Sequence, residues 1–354
     1  METIKTILNM KHLIKAFLFA AVLSFIASCN TKDDYYINIP DMTTLDVPWS
    51  GLNGTVPLET NFNWVAQVVG DAQVHIYPEK GEPGTLPAII VKENITGNPL
   101  AATVVFKSEC DCTDLSAVIN IKQGVLTEIE HGGYAYKVKH LKDGRYWFVE
   151  NLRYVPEGKS ASLKLDEIAN GVWYPLDSKL KTVTDNADTV ARKGLLYNVE
   201  AALGVAPGSL TVDNAKDYEG ARGLCPQGWH IPTLDEVAAL VGRVAGSDYD
   251  GNKNPKKDAP YYSETDGMAL LSLAKADGFN IWPELGYLNV SEKATSATPI
   301  AVMSYILSST AVPRTDGKLT QFYAIMPAKT SGGTCNGALH NYRGGAVVRC
   351  IKDL

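Results

Sequence analysis

The chain has 354 residues, 45% of them hydrophobic and 20% charged, an ordinary globular balance whose length exceeds one typical core and predicts two domains. Formal net charge is −6; Lys5, Lys11 and Lys15 against Glu2 leave residues 1–28 at +2 and the remainder at −8. A mildly acidic body without a basic patch argues against nucleic acid as a partner. In chain order, residues 1–28 read first as a signal peptide, with Met10 as an alternative start. Lys11 and Lys15 flank an apolar run, "FLFAAVLSFIAS", too short for a permanent span and ending in small residues.

The end of that run carries more than a cleavage site. Ile26-Ala27-Ser28-Cys29 resembles a bacterial lipobox, which implies cleavage before Cys29 and attachment of lipid to its thiol. Thr31-Lys32-Asp33-Asp34 resembles the Lys-plus-acidic tract that sends Bacteroidetes lipoproteins to the outer face of the outer membrane. The expected location is therefore the outer membrane, lipid-anchored and facing the exterior. Residues 29–40 read as a polar, unpatterned tether.

Residues 41–124 contain short apolar stretches between Gly, Pro and Asn, with no helical period. "GTVPLETN", "AQVHIYP", "AIIVKEN", "AATVVFKS" and "AVINIKQ" read as strands of an all-β sandwich. Trp49, then Asn61-Phe62-Asn63-Trp64, then the terminal "SAVINIKQ" resemble the BACON family, an immunoglobulin-like module often placed N-terminally; Ala101-Ala102-Thr103-Val104 departs from its usual arginine-led strand. Despite the carbohydrate-binding family name, the module reads as a spacer, with its tryptophans in the core. Cys110-Asp111-Cys112 has no neighbouring His or Cys to complete a metal set and reads as a local redox or structural feature.

Residues 125–354 read as an α+β domain. Asp143-Gly144 marks a hairpin turn within "YAYKVKHLKDGRYWFVENLRYV". "ARKGLLYNVEAALG" has Leu195, Val199, Ala202 and Leu203 at helical spacing. Thr233 and Glu236 form a capping box behind Pro232, opening a helix with Val237, Leu240, Val241 and Val244 on one side. Asp266 is a candidate cap for a further helix through "GMALLSLAKA", and "SYILSS", "QFYAIMP" and "AVVRCI" return to strand.

Six landmarks then stand in order: Trp147 through Arg153; Gly194-Leu195-Leu196-Tyr197-Asn198; Cys225-Pro226-Gln227-Gly228-Trp229-His230-Ile231-Pro232-Thr233; Gly278-Phe279-Asn280 with Trp282 to Tyr287; Tyr305 to Thr310; and Val348-Arg349-Cys350. They resemble the FISUMP family (Fibrobacter succinogenes major paralogous domain) over about residues 130–354. Val237 stands where that pattern has tryptophan, Pro283-Glu284-Leu285-Gly286 replaces its usual turn, and Ile306-Leu307 replaces an aromatic. The resemblance implies a C-type-lectin-like fold with the two ends of the domain paired. It also implies a disulfide between Cys225 and Cys350, with Cys335 as the rival partner or a free thiol. Such a fold presents ligands on its long loops and last strands, here Asn336, His340, Asn341, Tyr342 and Arg343 in "SGGTCNGALHNYRGG". The alternative for that Gly-rich run is a floppy loop with a solvated arginine.

No nucleophile, base and orienter set converges, and no G-x-S-x-G, H-E-x-x-H or catalytic paired-carboxylate arrangement is visible, so no enzyme and no cofactor are expected. His230 reads as a packed histidine bonded to backbone, and Asp235-Glu236 as acids favoured at a helix N-terminus. "SDYDGNKNPKKD", residues 247–258, sets Lys253, Lys256 and Lys257 against a cation and reads as a solvated loop, so no metal is expected. Asp188-Thr189-Val190 resembles a short O-glycosylation acceptor of Bacteroidetes exported proteins. The expected function is non-catalytic binding or adhesion, to glycan or protein at the cell surface. The alternative is an accessory subunit of a fimbria or envelope assembly.

Overall fold

The computed structural model describes residues 34–109, 113–141, 143–177, 179, 181–241, 285–291, 293–301, 305–312, 321–327 and 335–354. In the first domain, Leu100–Ser108 and Ser116–Gln123 alternate inward and outward as the period of a strand requires. Val104, Phe106, Ile119 and Ile121 are thereby buried in its core. The two strands pair antiparallel along their length, from Ser116 opposite Lys107 to Gln123 opposite Leu100. The sheet order is Thr44–Val47, Ser116–Gln123, Leu100–Ser108, Trp64–Gly70, Lys80–Gly81. A second sheet of Leu52–Thr55, Ala88–Val91 and Val74–Tyr77 contributes Val74, Ile76, Ile89 and Val91 to the same core.

Two sequence expectations shift here. Trp64–Gly70, absent from the expected strands, is one, because its outward residues include Val68 and Val69 and hide the alternation. Residues 37–39, expected within the tether, belong to the first domain: Ile37–Asn38 pairs with Glu59–Thr60, and Ile39 is buried in the core. Trp64 itself is fully buried, with its ring edge-on to Phe106 at 5.5 Å, so its apolar area serves the core.

The second domain is built on a five-stranded antiparallel sheet, ordered Glu128–His131, Tyr134–His140, Tyr146–Phe148, Ile351–Lys352, Trp229–His230. The last strand of the chain thus lies between an early hairpin and the Trp229-His230 landmark, with His230 opposite Ile351 and Trp147 opposite Ile351 on the other side. Alternation along these strands feeds two cores. Trp147, Val149 and Ile351 face one with Trp173, Leu240 and Val347; Tyr136, Val138, Phe148 and Cys350 face the other with Tyr197, Leu203 and Trp229. At the expected hairpin turn, Asp143 Oδ1 accepts the Arg145 amide at 3.2 Å, its Oδ2 accepts the Trp147 indole N–H at 2.7 Å, and Gly144 takes φ 79°.

Three α-helices are described: α1 (Ala187–Lys193), α2 (Val199–Leu203) and α3 (Leu234–Val241). The single helix expected over "ARKGLLYNVEAALG" is instead interrupted. Gly194 adopts φ 74°, ψ −168°, and a Cβ there would approach the Leu152 carbonyl oxygen to 2.7 Å. Leu196–Tyr197 pairs with Val172–Trp173, and Asn198 accepts the Ala201 amide at 2.8 Å to restart the helix as α2. Tertiary pairing overrides a helical period here. The capping box at α3 forms as expected: Thr233 Oγ1 accepts the Glu236 amide at 3.3 Å, and Glu236 Oε2 accepts the Thr233 amide at 2.8 Å. Val244, the loop of residues 247–258, and the helix expected after Asp266 lie outside the described residues, as do Cys29, Cys110 and Cys112.

Candidate functional site

The polar residues of the landmarks meet one another. Cys225 and Cys350 form a disulfide, Cα–Cα 5.8 Å, tying the start of the Trp229-His230 strand to the closing strand. Next to it Arg349, fully buried, donates from Nε to Asn151 Oδ1 at 2.8 Å. Asn151 in turn donates to the Lys193 carbonyl at 2.8 Å, and Lys193 Nζ donates to the Leu176 carbonyl at 2.7 Å. Burial pushes the Arg349 pKa down to about 9, against the opposing charge of Glu150. Ser309 Oγ accepts the Gly220 amide at 2.9 Å and donates to the Ile231 carbonyl at 3.0 Å. Thr310 Oγ1 accepts the Leu234 amide at 2.9 Å and donates to Glu219 at 2.7 Å.

His230 differs from the sequence reading, which bonded it to backbone. Its Nδ1 lies 2.6 Å from Asp353 Oδ1 and its Nε2 2.9 Å from Glu236 Oε2. Glu236 also faces Arg145 at 3.2 Å, and Arg145 donates to the Lys352 carbonyl. Burial pulls the His230 pKa down, but the hydrogen bonds and charges of Glu236 and Asp353 outweigh it, and the value ends above the ordinary imidazole range. Burial raises Glu236, yet hydrogen bonds from His230 and the Thr233 amide, with the charges of His230 and Arg145, leave it below the usual carboxylate range. His230 and Glu236 are six positions apart, but Arg145 reaches Glu236 across 91 positions and Asp353 reaches His230 across 123, and no local pattern announces those two contacts; together the four residues latch the end of the chain.

The residues expected to bind ligand divide. Asn336, His340 and Asn341 lie on a strand, Cys335–Asn341, and not in a flexible loop: Asn336 pairs with Met326, His340 with Phe322 and Asn341 with Gln321, while Cys335 pairs with Pro327. Their side chains lie outside what is described. Tyr342 is half-buried against the second core, and its carbonyl accepts the Val199 amide at 2.9 Å. Arg343 is half-buried. It donates to the carbonyls of Ser291 at 3.3 Å and Ala294 at 3.2 Å, bracing that turn. The rings of Tyr287 and Tyr305 meet edge-on at 4.3 Å, and burial raises both pKa values. Thr189, at the glycosylation-like motif, sits in the first turn of α1 with its hydroxyl on Asn186 Oδ1 at 3.0 Å. Among the described residues no group of three His, Cys, Asp or Glu side chains could hold a metal ion. A crevice of about 560 Å³ opens where the two domains meet, bounded by Gly97, Leu126, Glu128, Lys139, His140 and Tyr146.

With these contacts in place, the family model of the Fibrobacter succinogenes major domain matches residues 143–352, more than half of the chain. The chain belongs to that family. Its Fibrobacter succinogenes major domain runs from the hairpin turn at Asp143 to Lys352 on the closing strand, so its first strand, Tyr146–Phe148, and its last, Ile351–Lys352, are neighbours in one sheet. No curated protein matches the chain. Among solved structures, a Bacteroides ovatus GH5 xyloglucanase in complex with a XXXG heptasaccharide is 16% identical, with 38% of this chain and 25% of that one covered and a TM-score of 0.24. SSP-19, an MSP-domain protein like family member of Caenorhabditis elegans, is 17% identical over 23% of this chain and 95% of its own, TM-score 0.19. The CsuC-CsuE chaperone-tip adhesion subunit pre-assembly complex of Acinetobacter baumannii is 8% identical over 30% and 76%, TM-score 0.19. The chain spans a quarter of the xyloglucanase, and likenesses at these scores bear on neither fold nor function.

Proposed function

We propose that the chain is a lipid-anchored protein of the outer cell surface whose second domain, of C-type-lectin-like architecture, binds glycan or protein without catalysis. One observation carries the reading: the polar landmark residues are spent on the frame. Asn151, Arg349, Ser309, Thr310, His230 and Glu236 each hold backbone or another frame residue, so recognition falls to the loops and late strands that the frame displays. The pairing of early and closing strands, sealed by Cys225–Cys350, supports the lectin-like architecture. A glycan array and a cell-surface pull-down with the full exported chain test this. Saturable binding to defined glycans or one surface protein supports it, and hydrolysis or oxidation of any arrayed ligand overturns it.

A second reading, an accessory subunit of an envelope assembly, draws on the first domain. Trp64–Gly70 pairs with Lys80–Gly81 only at Trp64 and Val65, so Gln67–Gly70 forms an open edge with Val69 exposed and no charge to guard it. Open edges accept strands from other chains. Co-purification with filament subunits and silence on the glycan array would favour this reading.

A further inference from the structure

The two domains are joined without slack. The last strand of the first ends at Gln123 and the first strand of the second begins at Glu128, which leaves Gly124-Val125-Leu126-Thr127 as the connection. Gly124 donates its amide to the Val47 carbonyl at 2.9 Å, and its carbonyl accepts Asn94 Nδ2 at 2.9 Å. Leu126 is buried in the second domain, and the Thr127 carbonyl accepts the Val138 amide at 3.0 Å.

Three contacts flank the connection. Trp49 of the first domain packs against the core that contains Leu126 and Tyr146. Glu93 lies 3.5 Å from Lys352, on the closing strand that Arg145 and the disulfide also hold. Gly97, at φ 79°, sits so close to His140 that a Cβ would come within 2.5 Å of that side chain, and the His140 ring meets Tyr146 edge-on at 5.1 Å. The turn that carries Glu93 and Gly97 is itself stiff: Asn94 is 1% exposed, donates to the Asn98 carbonyl at 2.7 Å and accepts the Thr96 amide at 3.0 Å.

Domains on ordinary linkers move relative to one another unless their interface is extensive. A four-residue connection with both ends bonded removes most of that freedom, and contacts on separate elements oppose what remains. We infer that the first domain is a collar for the second: it grips the closing strand through Glu93 and Lys352, and the two domains move as one rigid body. This adds to the spacer role expected from sequence and goes beyond the binding reading, since it holds for any ligand. The orientation of the displayed loops relative to the first domain is then set by the junction.

Amide relaxation by NMR on the full chain tests the inference. In the native chain, amides of both domains should report one rotational correlation time. A variant with Gly-Ser-Gly-Ser inserted after Gly124 together with Glu93→Lys disturbs neither core, and it should give first-domain amides a shorter correlation time than second-domain amides. Gly97→Val, which drives a side chain into His140, should have the same effect if the first domain's amide spectrum stays dispersed; if it does not, the insertion variant decides. Two correlation times in the native chain, or one unchanged time in the insertion variant, would overturn the inference.

Discussion

Freeing Cys225 from Cys350 should cost more stability than any other single broken bond in the second domain. The bridge closes a loop of 125 residues of sequence separation. In the chain-entropy model, a loop that long removes about 16 cal/mol/K from the unfolded ensemble, about 5 kcal/mol at 25 °C. Domain stabilities run at about 5–15 kcal/mol, so the bridge carries a third or more of the total. The cost falls on the closing strand, because Cys350 is fully buried and its carbonyl accepts the Phe148 amide at 2.9 Å in the centre of the sheet. Urea unfolding followed by fluorescence of the buried Trp147, Trp173 and Trp229 reads the effect directly. With a slope of about 2–3 kcal/mol/M, the midpoint should fall by about 2 M on reduction. Cys225→Ala/Cys350→Ala, unfolded without reductant, should fall at least as far, since two buried sulfurs are also lost. Coincident midpoints for oxidised and reduced chains, with mass spectrometry showing both thiols free, would refute the assignment of the bridge as the main closure of the domain.

The His230 latch makes stability depend on pH with a definite sign. A histidine whose folded pKa lies above its unfolded value contributes fully below about pH 6.5 and loses that contribution as pH rises through the folded value, so the urea midpoint should decline above about pH 6.5. His230→Gln should flatten that decline. Glu236 acts at the acid end: its folded pKa is depressed, so its contribution holds above about pH 4.3 and disappears as pH falls through the folded value; Glu236→Gln should blunt acid unfolding. Asn151→Ala removes a hydrogen bond to the buried Arg349 and should cost about 2–3 kcal/mol in urea unfolding, whereas a loss under 0.5 kcal/mol would show that this contact is not needed. Gly194→Ala should destabilise by at least about 1 kcal/mol in the same assay, since φ 74° disfavours a side chain and a Cβ would crowd Asn151 and Leu152. Cys29→Ser should abolish incorporation of radiolabelled palmitate and release the chain from membranes; retained label would exclude Cys29 as the lipid site.

Much of the frame is local and could be read from residue order. The capping box at Thr233 and Glu236, the turn at Asp143-Gly144, and the alternation of "AATVVFKS" and "SAVINIKQ" each depend on neighbours within a few positions, and each forms as expected. The landmark order likewise placed the chain in its family and paired Cys225 with Cys350. The candidate site was less legible, because its contacts join residues that composition cannot bring together. His230 meets Asp353 across 123 positions and Arg145 meets Glu236 across 91. Glycine density around Cys335 suggests flexibility, yet backbone hydrogen bonds to Gln321–Pro327 make that segment a strand.

Residue order alone therefore decided which short segments could be turns, caps or half-buried strands, since those choices rest on backbone propensity and on spacing within one element. Folding in three dimensions decided the rest. Helical spacing over residues 191–204 gives way to a break at Gly194, where pairing with Val172–Trp173 and crowding by Leu152 outweigh propensities worth tenths of a kcal/mol per residue. Arg343 braces a turn because two carbonyls some fifty positions away converge on it. Contacts of that kind are sums over distant parts of the chain, and they exist only once the sheet has closed.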